Sequence, residues 1–209
     1  FSPLRLDIQD FKLETLTALA QQDTLLAKGI LNGSFELKNL MKSPQVNGNL
    51  KVDSLQVFNA PLGHLDVNLN QRSAEHINTQ IELKGNGNQV NLDGNYNLVN
   101  DDLNFELLIN RLNMTSIQGF TAQQIKEAEG FLSGNLEIFG KSDSPSIRGK
   151  LKFNDVGMFV TTLGTKFQGM NDELLFQPKG IEVNQFSIFD KDKNQMLLDG
   201  TIFTQKYQD

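Results

Sequence analysis

The sequence contains no cysteine and no tryptophan, and only two tyrosines, two histidines and five prolines in 209 residues. Without cysteine there is no disulfide, no thiol nucleophile and no Cys-ligated zinc. His64 and His76 alone supply imidazole, which starves His-based metal sites and His-driven catalysis. A basic excess is also missing: 19 Lys plus Arg face 25 Asp plus Glu, a formal net charge of -6. A nucleic-acid binder needs a basic stripe to displace counterions from phosphates, so that partner is excluded. Apolar runs are only a few residues long, so no segment reads as a membrane-spanning helix. No signal peptide is visible. Opening on Phe1 and breaking off mid-pattern over Thr204–Asp209, the sequence reads as an internal piece of a longer protein.

What is abundant points to sheet. Asparagine makes up about a tenth of the residues, roughly twice the average. Asn is favoured in turns, so many Asn between short apolar runs imply many turns between short strands. Period-2 alternation dominates. In Leu31-Asn32-Gly33-Ser34-Phe35-Glu36-Leu37-Lys38 every second residue is apolar or Gly. Successive strand side chains point to opposite faces, so this is a strand with one dry and one wet face. The same reading fits Val46–Val52, Leu65–Leu69, Ile77–Leu83, Val90–Leu98, Leu103–Leu107, Leu132–Ile138, Ile147–Phe153, Ile181–Ile188 and Met196–Phe203. The spacing predicts roughly a dozen strands in antiparallel meanders. Gly85-Asn86-Gly87-Asn88 and Asn100-Asp101-Asp102 read as turns, and Ser43-Pro44 and Ser144-Pro145 as breaks between strands. Two segments leave period 2, Thr15–Ala27 and Thr121–Glu129. Each is expected to be a short helix, the second opened by Thr121 and Gln124 as a capping box, with Gly29 and Gly130 placed to end them.

The chain also repeats itself. A shift of 101 residues lays Gly29-Ile30-Leu31-Asn32-Gly33 on Gly130-Phe131-Leu132-Ser133-Gly134 without a gap. It lays Ser43-Pro44 on Ser144-Pro145, Gly48 and Leu50 on Gly149 and Leu151, and Phe58 and Leu62 on Phe159 and Leu163. No linker composition interrupts the join. The expected organisation is one continuous domain over 1–209, with repeat one at about 5–107 and repeat two at about 108–209. Each repeat is a short helix with a meander of strands.

A dozen strands with one apolar face make a large apolar surface. At about 25 cal/mol per Å², leaving it all wet would cost far more than a domain's net stability. Two short helices do not cover it. An outer-membrane barrel is disfavoured, because such barrels carry aromatic girdles and this chain has no Trp. Alternation alone leaves two architectures open: a closed β-sandwich, or an open sheet curled into a trough.

The pattern Gly-x-Leu-x-Gly-x-Leu/Phe-x-Leu, then Pro, then Gly-x-Leu-x-Val/Phe occurs twice. Gly29, Leu31, Gly33, Phe35, Leu37, Pro44, Gly48, Leu50 and Val52 carry the first copy. Gly130, Leu132, Gly134, Leu136, Ile138, Pro145, Gly149, Leu151 and Phe153 carry the second. In this doubled motif the chain resembles the TamB family, the inner-membrane subunit of the translocation and assembly module, in its periplasmic repeat region. AsmA-like relatives share parts of the motif. The resemblance implies a mostly β fold, an elongated, curled antiparallel sheet or β-taco with an open hydrophobic groove, similar to bridge-like lipid-transfer proteins. It implies a periplasmic setting in a Gram-negative bacterium, within a protein anchored in the inner membrane. It implies two partners: phospholipid acyl chains and a BamA-type outer-membrane barrel. The implied role is conduction of phospholipids between the membranes in support of outer-membrane biogenesis, with no cofactor. The alternative role is a scaffold for outer-membrane protein assembly by strand pairing. The expected groove lining is Leu31, Phe35, Leu37, Val46, Leu50, Val52, Leu65, Val67, Leu69, Ile81, Leu83, Val90, Leu92, Leu103, Phe105 and Leu107, then Leu132, Leu136, Ile138, Ile147, Leu151 and Phe153.

Other signals are weaker than their bland readings. Asp190-Lys191-Asp192-Lys193-Asn194 resembles the start of a calcium loop, but Gln195 stands where Gly is required and Thr201 where Glu is. Asp93 and Asp199 precede Gly at matching places on wet strand positions, which suits a solvated carboxylate better than acid–base work. His64 has Thr165 as its repeat counterpart, and no nucleophile elbow or phosphate loop is present, so no enzyme is expected.

Overall fold

A computed structural model describes residues 3–15, 27–39, 45–71 and 73–204. The strands are β1 Leu4–Lys12, β2 Ala27–Lys38, β3 Gln45–Val57, β4 Ala60–Asn70, β5 His76–Gly85, β6 Asn88–Asn97 and β7 Asp102–Asn113. A short helix, α1 (Met114–Gln118), leads into β8 Ile125–Lys141 and β9 Ser144–Val160. Then come β10 Thr165–Met170, β11 Glu173–Gln177, β12 Gly180–Asp190 and β13 Gln195–Phe203. All belong to one 13-stranded antiparallel sheet. From β1 to β9 each strand pairs with the next in sequence. β10 and β11 both pair with β9 and β12, either side of Asn171-Asp172, so they are one interrupted strand and the meander is unbroken. The sheet does not close: among the described residues β1 pairs only with β2, and β13 only with β12. A single open sheet is no closed barrel and agrees with a curled sheet.

The hairpin at Asn86-Gly87 has both residues at positive φ, 49° and 77°, which matches the twist of the flanking strands. Asp101, at φ 58°, turns β6 into β7. Pro145 sits one residue inside β9 rather than in the break, opposite Gly140; the turn itself is Ser142-Asp143. Pro44 and most of Thr15–Ala27 lie outside the described residues, and Ala27 already belongs to β2.

The second expected helix is displaced. Residues 114–118 are helical, whereas Thr121–Glu129 is turn and then the start of β8. Ala122 and Gln123 both have positive φ, 47° and 67°, which no right-handed helix accommodates. Gly29 and Gly130 therefore end no helix. They lie inside β2 and β8 beside register shifts. At Gly130, φ is 81° and an added Cβ would stand 2.3 Å from the Asp155 carbonyl oxygen, the geometry of a bulge glycine.

Bulges explain the strand lengths and the curl. Asp10, Ser54, Asp155 and Gln185 have positive φ, each beside a register shift. Each extra residue reverses the alternation: the inward residues are Leu50 and Val52 before Ser54, but Leu55 and Val57 after it. These bulges fall at one end of the strands, and bulges bend and twist a sheet. Beyond them lies the packed core. Leu31, Val52, Leu55 and Leu62 form one buried cluster. Met114, Ala128, Leu132, Val156, Met170, Val183 and Phe186 form the other, with Phe153 edge-on to Phe186.

Candidate functional site

Cross-strand pairing places opposed residues on the same face, so register defines the dry surface. One row runs Ile8, Gly33, Leu50, Val67, Ile81, Leu92, Leu107, Leu136, Gly149, Phe176, Ile181, Ile202. Beside it runs Phe11, Leu31, Val52, Leu65, Leu83, Val90, Ile109, Gly134, Leu151, Leu174, Val183. On the other side lie Leu6, Phe35, Gly48, Leu69, Thr79, Gly94, Phe105, Ile138 and Ile147. Outer pairs are Leu37 with Val46, Ile77 with Tyr96, Tyr96 with Leu103, and Leu132 with Phe153. The structure thus puts all 22 residues named from the sequence on one face. Leu31, Val52, Leu132 and Leu136 are buried; the other eighteen are half-buried.

Glycines, Gly48 of the doubled motif among them, have a steric role on this face. An added Cβ on Gly48 would stand 2.4 Å from the Phe35 ring, and one on Gly94 2.7 Å from the Phe105 ring. Each glycine lets a large opposed side chain lie flat against the backbone. Large and small residues alternate across the strands, giving a shallow, continuous apolar floor. The polar members of these rows are Thr79 and Tyr96. The Tyr96 hydroxyl donates to Asp101 Oδ1 at 2.7 Å, and that bond to a carboxylate raises its pKa. Sequence reading missed Ile8, Ile109, Leu174, Phe176, Ile181, Val183 and Ile202. The alternation Leu4-Arg5-Leu6-Asp7-Ile8 was a sufficient signal for β1.

The curl is locked at one end by α1. It touches β4, β7 and β8. Flat, β4 and β8 would lie about 19 Å apart across four strand spacings. A helix of this length rises only about 7 Å, so the sheet must bend to meet it. A buried polar knot holds the bend. Asn88 Nδ2 donates to the Leu62 carbonyl and to Ser116 Oγ, both at 2.9 Å. Asn88 Oδ1 accepts the Asn113 N–H at 2.9 Å. Asn88 is 3 % exposed and Ser116 2 %. The close fit extends to Gly119, where a Cβ would stand 2.3 Å from that of Ala60. Among the described residues no second sheet covers the rows toward the other end.

Charge lies on the opposite face. Lys51–Asp66, Arg148–Glu137 and Lys150–Glu173 link neighbouring strands there. Glu36 is held below the ordinary carboxylate range by its bond to Lys38 and then by Arg5. The Asp190 carboxylate is consumed by its own turn. It accepts Asn194 Nδ2 and the backbone N–H groups of Asn194 and Asp192, each at 2.8 Å, and these bonds lower its pKa. His64 Nδ1 meets Asp53 at 2.8 Å, and Asp93 accepts from Gln80. Each of these groups is partnered on the wet side, away from the apolar floor.

Neither a curated relative nor a solved structure matches the chain. The family model described as the TamB C-terminal domain matches residues 76–206, from β5 through β13. The chain therefore belongs to the TamB family, whose members act in outer-membrane biogenesis or lipid transport in the Gram-negative envelope with an outer-membrane partner.

Proposed function

We propose that the apolar face is a trough that carries phospholipid acyl chains between the inner and outer membranes, in the periplasm. One observation carries this reading: apolar rows run in register across the sheet, and no second layer covers them among the described residues. Acyl chains need continuous apolar contact without direction, and each methylene that leaves water contributes about 0.8 kcal/mol. A floor without charged residues leaves a chain free to slide, and the head group stays at the water-facing edge. Transport of this kind needs no catalytic group and no cofactor. The two repeats, about 5–107 and 108–209, would act as one continuous unit. A BamA-type barrel would be the outer-membrane partner of the full-length protein.

A second reading rests on the outer edge of β13, whose nine residues are exposed along their length. An open edge offers main-chain groups for a client strand to pair with, which would make the chain an assembly scaffold. Leu92→Asp separates the two. Leu92 is half-buried in the middle of the floor, so a charge there meets acyl chains without opening the packed core. In the conduit reading, phospholipid that co-purifies with the chain in native mass spectrometry is lost in the folded variant. Retention of lipid, with loss of client-strand pairing when the β13 edge is blocked, would favour the scaffold.

A further inference from the structure

We propose that a cleft on the wet face of β1–β6 binds an extended, uncharged chain of pyranose sugars. The cleft has a volume of about 1020 Å³ and is lined by residues of all six strands, mostly the polar side chains of the face opposite the apolar trough, with Phe35, Gly48, Leu69 and Gly94 of the apolar rows at its base. Its centre is a cross-strand row of amides. Asn47 opposes Asn70, Asn70 opposes Asn78, and Asn78 opposes Asn95. Asn is disfavoured in strands, where Thr and β-branched residues fit better. Repeated violation of a local preference in one row marks a site with another task.

Hydrogen bonding inside the cleft does not account for the row. Asn47 Oδ1 accepts the Gln71 N–H, and Asn78 Nδ2 donates to the Asn70 carbonyl. The side-chain amides of Asn68, Asn70 and Asn95 bond to no other described residue. Each offers both donor and acceptor capacity, the combination that matches sugar hydroxyls. Along the row Asn47, Asn70, Asn78 and Asn95 the amides recur at the strand spacing of about 4.8 Å, close to the length of one pyranose ring in an extended chain, and its two unbonded amides, Asn70 and Asn95, stand two strands apart. Charge selects further. Arg5 is engaged by Glu36 at 3.2 Å, which leaves Asp7 and Asp93 as the outstanding charges of the lining. Phosphorylated or uronic-acid polymers are repelled; neutral glycans are not.

The test titrates the isotope-labelled chain with N-acetylglucosamine hexasaccharide and with cellohexaose, reading side-chain amide resonances by NMR and affinity by calorimetry. Shifts confined to the cleft amides, with affinity rising from monosaccharide to hexasaccharide, are expected. Asn70→Thr with Asn95→Thr places better strand formers in the row and keeps the fold. It should weaken binding about tenfold, the loss of roughly one net hydrogen bond in all. Asn95→Ser alone is the second variant, with a smaller loss. No binding of either hexasaccharide, monosaccharide binding as tight as the hexasaccharide, affinity unchanged in the folded variants, or stronger binding of an extended hydrophilic peptide would each overturn the proposal.

Discussion

Replacing Asn88 with leucine tests what holds the sheet bent. Asn88→Leu keeps the branched shape and the number of heavy side-chain atoms but removes two donated hydrogen bonds and one accepted one. The Leu62 carbonyl, the Ser116 hydroxyl and the Asn113 N–H lose that partner together. A buried group left unpaired costs about 1–3 kcal/mol. Ser116 keeps a second contact with the Pro61 carbonyl, at 3.4 Å, which lowers its share. The sum is about 3 kcal/mol, offset in part by the gain in apolar surface. For a chain of this size that is a fall in Tm of about 6–12 °C. Because long repeat sheets need not unfold in one step, hydrogen exchange is the more specific assay. Amides of α1 and of the β4 start should lose protection, while the middle of β5 keeps it. Ser116→Ala should reproduce a smaller part of the effect. An Asn88→Leu variant with unchanged Tm and unchanged α1 protection would refute the claim that this knot fixes the curl.

Other outcomes follow from the same geometry. Val156→Ala empties part of a fully buried site in the second cluster and should cost about 2 kcal/mol by denaturant titration. Gly48→Ala forces a methyl against the Phe35 ring and should destabilise by about 1–3 kcal/mol, with partial rescue by Phe35→Leu in a double-mutant cycle. The Glu36 carboxyl is lowered by Lys38 and Arg5, so its contribution to stability is present above the ordinary glutamate pKa and fades as pH falls through its folded value. Acid titrations of Glu36→Gln should therefore lack a small, salt-sensitive loss of stability seen in the parent.

The face of each strand was legible because alternation is a direct consequence of strand geometry. Leu31, Val52, Leu65 and Leu83 were placed on one face by sequence, and register pairs them in one row. Where reading failed, a bulge had changed the phase. Met158 and Val160 follow Asp155 on the opposite parity from Leu151 and Phe153, and a single positive φ at Asp155 makes the difference. Polar residues such as Asp155 and Gln185 announce no such reversal locally, because partners further along the chain hold it: Asn171 Oδ1 accepts the Asp155 N–H and Asp199 Oδ1 the Gln185 N–H. The displaced helix has the same origin. Thr121–Glu129 has helical composition, but Gln118 Oε1 accepts the Ala128 N–H and Thr121 Oγ1 the Ile125 N–H, which fixes a turn instead. Asparagine misled in another way. Asn86 does make a turn, but Asn47, Asn70, Asn78, Asn95 and Asn104 stand in the sheet, directly opposed across five strands.

The trough makes a face-specific demand that one measurement can meet. A photo-crosslinking amino acid at Val67 points to the apolar floor, and the same probe at Asn68 points to the wet face one residue away. Irradiated in cells with labelled phospholipid, the full-length protein should yield a lipid adduct from position 67 and none from position 68. Equal labelling at both positions, or none at either in a folded protein, would contradict the conduit.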